Sequence, residues 1–394
     1  MRQQTLPAAQ QAIELIGPDT LQLNPQKSVP PPGPYQILAK VEAVGLCFSD
    51  LKLLKQFDRH VRKGAITAGA DAEILAQIPS YRPGSEPTVP GHEAFCTIAA
   101  VGDRVTRHRA GQRVLVQTDY RWLKTAGSNS AFGYRFEGAL QQYVLMDERV
   151  IVDPVRDESF LIPVDKELSA SAIALVEPWA CVESSYATEE RKTVRPGGKL
   201  LVATDSGRQI EGLADSFAAD GKPASITLCG FGGTLPDSLN PPGIPITRAE
   251  DLQALADQDF DDIVYFGSDK NTIERLDAKL AAQGIINIVL GGNRIGQDVS
   301  VSIGRVHYGM TRWVGTPGSN AADSYRRIPA TGEIRENDAV LIAGAAGPMG
   351  QMHVIRLIRS GVKNLSITGT DLDDARLASL THKADAPAAE NGVA

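Results

Sequence analysis

ENDAVLIAGAAGPMGQMHVIRLIRSGVKNLSITGTDLDD, residues 336–374, reads as strand, glycine turn, helix, strand and acid, one complete βαβ unit. AVLIA is short and apolar, as a buried parallel strand is, and PMGQMHVIRLIR repeats its apolar residues at helical spacing. Gly344, Gly347 and Gly350 occupy the turn between them, and Pro348 and Met349 open the helix. Glycines there let the chain turn sharply and let a pyrophosphate reach the amides at the helix N-terminus. The spacing is GxxGxxG and not GxGxxG, so the pattern draws its weight from context. A strand precedes it, a helix follows, and Asp371 stands at the tip of the next strand, 21 positions past Gly350. A carboxylate in that place accepts from a ribose 2′-hydroxyl and repels a 2′-phosphate, which favours NAD over NADP. The plainer reading is a glycine turn used only for packing.

Upstream, the same grammar is already running. From about Ser169 the pattern turns helical (SASAIALVEPWACVESSYATEER), and four apolar runs follow: KLLVATD, SITLCGF, DIVYFGS and INIVLGG. KNTIERLDAKLAAQG, between the last two, reads as an amphipathic helix stopped by glycine. Strands alternating with helices imply a parallel sheet covered by helices. The turn after the first of these strands, ATDSGRQIEG, lacks the glycine pattern, and the next strand ends in LCGFGG without an acid. This unit is therefore expected to be a degenerate fold unit without a working nucleotide site.

The first 155 residues are all-β in character, with QILAKVEAVGLC, FCTIAAVGDRV, QRVLVQ and ALQQYVLMDERVIVDPV broken by Gly, Pro and Asp. Residues 51–90 are more polar and read as a long loop or a small helical insertion. The chain has 394 residues, 42% of them hydrophobic and 22% charged, as an ordinary globular protein of two or three domains does. A net charge of −7 without a basic stripe argues against nucleic acid as a partner. The start lacks a secretory pattern and no apolar run is long enough for a membrane, so a cytoplasmic protein is expected. Four scattered cysteines do not make a disulfide framework.

GLCFSDLK, residues 45–52, raises a different chemistry. It places Cys47 beside Ser49, Asp50 and Lys52; PGHEAFC places His92 and Glu93 after a Pro-Gly turn; LVEPWAC places Glu177 on a helix. A thiolate, an imidazole and a carboxylate from separate segments make a three-ligand zinc site with a position left open for a substrate oxygen. Singly, each has a plain structural reading: Cys47 a buried thiol, His92 a satisfied histidine, Glu177 a helix cap.

GLCFSD, VPGHE, AVGDRVTRHRAGQRV, VEPWACVESSY and AGAAGPMG, in this order, resemble the zinc-dependent medium-chain alcohol and polyol dehydrogenases. The resemblance covers about 30–200, a GroES-like β-barrel catalytic domain, and 337–380, a cofactor unit. It implies Cys47, His92 and Glu177 as zinc ligands, with Glu93 an exchangeable fourth. Ser49 takes the place of the hydroxyl that relays the alcohol proton, and Asp50 that of the acid orienting the ligand histidine. Glutamate at the third ligand position leans toward the polyol, sugar and threonine branch, near sorbose 1-phosphate reductase. The expected substrate is a small alcohol, polyol or sugar phosphate, and a dimer is the family expectation.

Three departures stand against the family pattern. QTDYRWLKTAGSNSAFGYRFEG supplies none of the cysteines of the structural-zinc lobe, so one catalytic ion and no second zinc is expected; Arg121 and Lys124 in this lobe are candidates for a phosphate contact. Lys52 stands where a relay histidine is usual. The cofactor unit supplies two strands where a dinucleotide fold needs about six. The expected architecture is thus α/β plus all-β: a GroES-like domain at 1–195, a degenerate Rossmann-like unit at 196–336, and a partial NAD-binding Rossmann unit at 337–394. The remaining strands of that last unit would lean on the α/β unit before it. Two other functions stay open: a non-catalytic or regulatory relative with a defective nucleotide site, and a metal-free reductase of the quinone type.

Overall fold

A computed structural model describes residues 6–165, 167–232 and 243–393. The chain divides into two compact units, one of residues 1–184 with 335–394, the other of residues 185–334.

The first unit is built on a five-stranded antiparallel sheet in the order Leu161–Pro163, Arg113–Val116, Glu93–Val101, Gln36–Gly45, Tyr143–Asp147. A three-stranded sheet of Ile66–Ala68, Asp119–Thr125 and Asn129–Ala131 accompanies it, as does the hairpin Ala9–Gly17 with Thr20–Ser28. Ile37, Ala39, Ala94, Cys96, Ile98, Val114, Val144 and Phe160 fill one core between the strands. Cys96 serves there as a small apolar residue, its thiol pushed up to about 12 by burial. The polar stretch after Cys47 holds the helix Phe48–Gln56, two single 3-10 turns and the short helix Ala72–Leu75.

Residues 335–394 group with this β unit and not with the larger α/β sheet. Strands Ala339–Ala343 and Ser366–Thr370 run parallel and, among the described residues, pair only with each other. Helix Pro348–Arg359 follows the glycine turn and is tied to helix Val176–Ala187 by Arg356 Nε and Glu183, 3.0 Å apart. Helix Asp374–Asn391 closes the described chain.

The second unit is a doubly wound sheet of six parallel strands: Ile246–Ala249, Ser225–Cys229, Lys199–Thr204, Phe260–Phe266, Leu280–Val289 and Arg312–Thr316. By chain position this is the order 3-2-1-4-5-6 of a Rossmann sheet. Alternate residues of the central strands enter opposite cores: Leu200, Val202, Val264 and Phe266 on one face, Leu201, Ala203, Ile263 and Tyr265 on the other. Burial on both faces accounts for the continuous apolar runs. Two strands lie beyond the four that the sequence marks, and both are the sheet's edges. Helix Lys270–Lys279 ends before the predicted glycine stop, because Leu280 is fully buried and already paired with Phe260 as strand.

At the carboxyl ends of this sheet, side chains of the unit itself occupy the space around the switch in strand order. Asp205 accepts from Ser268 N at 2.9 Å and from the Tyr265 hydroxyl, and Arg208 donates to the carbonyls of Val289 and Leu290 at 3.1 and 2.8 Å.

Candidate metal centre

Antiparallel register brings the centre together. Gln36–Gly45 and Glu93–Val101 pair so that Gly45 faces Glu93. Cys47 lies two residues past the end of one strand, and His92 one residue before the start of the other, so both fall at the same end of the pair. Gly45 leaves room for the Glu93 carboxyl in its present position: a Cβ there would lie 2.0 Å from Glu93 Oε2. The donor atoms of Cys47, His92 and Glu93 all lie within 4.8 Å of one another.

Asp50 binds the two backbone segments to each other. Cys47 is the N-cap of helix Phe48–Gln56, and Asp50, in the first turn, accepts from Cys47 N at 2.9 Å through Oδ2. Its Oδ1 meets His92 Nδ1 at 3.1 Å and accepts from Gly91 N at 3.3 Å. With Nδ1 held by Asp50, His92 presents Nε2 to the cluster, where Ser49 Oγ stands 3.2 Å away. Thr118 Oγ1 donates to His92 O at 2.9 Å and fixes the backbone behind the ring.

The electrostatics are those of crowded donors. Burial pushes the His92 pKa down, but hydrogen bonds to Asp50 and Cys47 outweigh it and raise it to about 10. Burial raises the Glu93 carboxyl against the pull of His92. Glu177, half-buried in the first turn of helix Val176–Ala187, is raised by burial and feels the charges of His92, Glu93, Arg62 and Asp50. It faces the cluster electrostatically, while the compact donor set is Cys47, His92 and Glu93. Sulfur, imidazole nitrogen and carboxylate oxygen, with a carboxylate behind the histidine, are a donor chemistry that fits zinc.

Sequence reasoning passed over the aromatic wall. Tyr134 is 2% exposed, with its ring 5.4 Å from that of His92 and 5.0 Å from that of His60. The Arg62 guanidinium stands 5.8 Å from the Tyr134 ring centroid. Lys52 lies on the same helix as Ser49, its ammonium 5.9 Å from the Phe48 ring. No local sequence signal marks Tyr134 or Arg62, since long-range packing brings them to the site.

In the glycine turn, Gly344 has φ +72° and Gly350 is buried so closely that a Cβ would lie 2.2 Å from Gly344 O. Gly347 caps the helix, Pro348 is exposed, and Met349 is 41% exposed. Asp371 Oδ2 accepts from Ala346 N at 3.1 Å, so the acid already holds one amide of the turn. Glycines and acid meet at one place, 335–394 lying in the same unit as the metal cluster.

Residues 33–156 match the alcohol dehydrogenase GroES-like domain. The chain is 32% identical over 190 residues to an alcohol dehydrogenase of Rhizobium meliloti (strain 1021), covering 44% of this chain and 45% of that protein. It is 25% identical over 302 residues to mannitol-1-phosphate 5-dehydrogenase of Aliivibrio fischeri, covering 68% and 69%. It is 26% identical over 340 residues to L-sorbose 1-phosphate reductase of Klebsiella pneumoniae, covering 79% and 76%. No described helix is long and apolar enough to cross a membrane. The chain carries an alcohol dehydrogenase GroES-like domain over residues 33–156, followed by a parallel sheet of Rossmann strand order.

Proposed function

We propose that the protein is a zinc-dependent oxidoreductase that moves a hydride between a nicotinamide cofactor and a secondary alcohol, polyol or sugar phosphate. The observation that carries this reading is the meeting of Cys47, His92 and Glu93 within 4.8 Å, with Asp50 behind the histidine. Cys47, His92 and a carboxylate, Glu93 or Glu177, would hold the ion. When bound, zinc supplies Lewis-acid stabilisation of charge on a substrate oxygen, and the nicotinamide supplies the hydride chemistry. Asp50 keeps the His92 ring oriented, and Glu93 and Glu177 set the negative charge of the site. The Ser49 hydroxyl would pass the substrate's proton outward, a role its 3.2 Å approach to His92 Nε2 supports. Gly344, Gly347 and Gly350 would admit a pyrophosphate to the helix N-terminus, and Asp371 favours NAD over NADP. Names of relatives that act on phosphorylated sugars support the polyol and sugar phosphate branch.

Metal analysis of the wild type and of Cys47→Ser tests the reading. One zinc per chain is expected in the wild type and a large loss in the variant. A wild type without stoichiometric zinc, or a variant that holds as much, overturns it.

A second reading, a non-catalytic relative, is favoured by the lone pair of parallel strands behind the glycine turn and by the bond between Asp371 and Ala346. NADH fluorescence titration separates the two, since saturable binding below about millimolar speaks against a dead nucleotide site.

A further inference from the structure

We infer that Arg62 recognises the anionic end of a phosphorylated substrate, so that this site is built for polyol or sugar phosphates and not for neutral alcohols. The inference rests on the dehydrogenase reading of the Cys47, His92 and Glu93 cluster.

Arg62 belongs to the 3-10 turn Val61–Lys63 and stands over the Tyr134 ring, 5.8 Å from its centroid. The same ring lies 5.4 Å from His92, so one aromatic side chain separates the guanidinium from the proposed reacting end of the site. Nη1 of Arg62 is held by Asp119 Oδ1 at 2.9 Å, and Asp119 also accepts from Asn129 Nδ2 at 3.2 Å through each oxygen. Ring and carboxylate together fix the plane of the guanidinium. Its Nε and Nη2 have no partner among the described residues, and the side chain keeps 29% of its surface exposed. A fixed fork with free N–H groups matches a phosphate, which it can bind through two parallel bonds.

The surrounding charge supports this role. Burial first, then Arg62 and Lys52, push the His60 pKa down to about 4, which leaves its ring neutral between two cations. Glu177, in turn, feels Arg62 among the charges around it. The site thus has an acidic, metal-binding end and a cationic end, separated by Tyr134. Of the candidates the sequence offered, Arg121 pairs with Glu158 at 3.4 Å and lies over the Phe160 ring, and Lys124 donates to Asn129 at 2.9 Å. A purely structural Arg62, serving only to neutralise Asp119, would affect every substrate alike.

The test uses the full-length, zinc-loaded protein with Arg62→Gln, Arg62→Lys and, as control, Arg121→Gln. The readout is the ratio of kcat/KM for mannitol 1-phosphate to that for mannitol, together with zinc content and titration with inorganic phosphate. The wild type is expected to prefer the phosphorylated form, and Arg62→Gln to lower that ratio roughly 10- to 100-fold. Arg62→Lys should restore part of it, Arg121→Gln should leave it unchanged, and saturable phosphate binding should disappear in Arg62→Gln. Equal losses on both substrates, or a zinc-loaded wild type without preference for the phosphorylated form, overturn the inference and leave the dehydrogenase reading standing. Absence of zinc and of turnover overturns that reading instead; phosphate binding that depends on Arg62 then supports the anion site, and phosphate binding indifferent to Arg62 overturns it. If Arg62→Gln does not fold, Arg62→Lys carries the comparison, and a ratio equal to wild type counts against the fork.

Discussion

Replacing Asp50 by asparagine changes one atom and strikes the point where two segments meet. The carboxylate takes three N–H groups on two oxygens, from Cys47 N at 2.9 Å, His92 Nδ1 at 3.1 Å and Gly91 N at 3.3 Å. Its side chain is 9% exposed, so water is poorly placed to substitute. Asparagine offers one acceptor oxygen. If that oxygen serves His92 and Gly91, the amide NH2 opposes the Cys47 N–H; turned over, it opposes the other two. At least one buried donor is left unpaired either way, at a cost of about 1–3 kcal/mol in the metal-free protein. Loss of the charge behind His92 should weaken zinc binding about 10- to 100-fold, or about 1.4 to 2.8 kcal/mol. Competition with a zinc-sensitive dye measures the affinity, and unfolding of the chelator-treated protein measures the cap. A variant that loses stability yet binds zinc within twofold of the wild type would show Asp50 to be a helix cap and nothing more, refuting its orienting role.

Two further outcomes follow from contacts at other places. In Gly350→Ala the new Cβ meets Gly344 O at 2.2 Å and Ala345 Cα at 2.6 Å, backbone atoms that cannot turn away; saturable NADH fluorescence should vanish, and unchanged binding would remove the turn as the cofactor site. In the α/β unit, burial pushes the Asp262 carboxyl up to about 6 against Arg191 and Arg195. Between about pH 4 and 6 the folded protein therefore keeps a proton that the unfolded chain has lost, so this group's contribution to stability falls as pH rises, by up to roughly 3 kcal/mol. Hydrogen exchange of the Phe260–Phe266 amides should show that fall in the wild type and a flatter profile in Asp262→Asn; parallel profiles in the two proteins would count against it.

What the sequence disclosed, and what it withheld, follows from where each signal is stored. Central strands such as Lys199–Thr204 are buried on both faces and announce themselves as apolar runs. The two edge strands, ITRA and RWVGT, are mostly half-exposed or exposed, so their composition resembles that of a loop and they went unmarked. The LAAQ after Lys279 is good helix-forming sequence, yet pairing with the neighbouring strand and burial of Leu280 override that preference. Cys47, Ser49, Asp50, His92 and Glu93 stood out because the turn and cap residues beside them are local. Arg62 and Tyr134 lie in segments of no regular pattern and acquire meaning only when strand Asp119–Thr125 supplies Asp119 and the His92 ring supplies a neighbour.

The metal cluster owes its position to register more than to the loops that carry its residues. Because side chains alternate along a strand, a slip of one residue in the pairing of Gln36–Gly45 with Glu93–Val101 would turn Glu93 away and bring a residue with a Cβ opposite it. The same slip would move Ala94, Cys96 and Ile98 of that strand out of the core, since they point inward in the present register. Burial of that core therefore locks the distance between Cys47 and His92: the two donors extend from strand ends whose alignment is held by every apolar pair further along. Gly45 then permits the final approach, leaving room for a carboxylate where any other side chain would collide. Held in this way, the thiol, imidazole and carboxyl groups are kept close by the fold itself despite their mutual charge and burial, which is the arrangement the proposed ion would need.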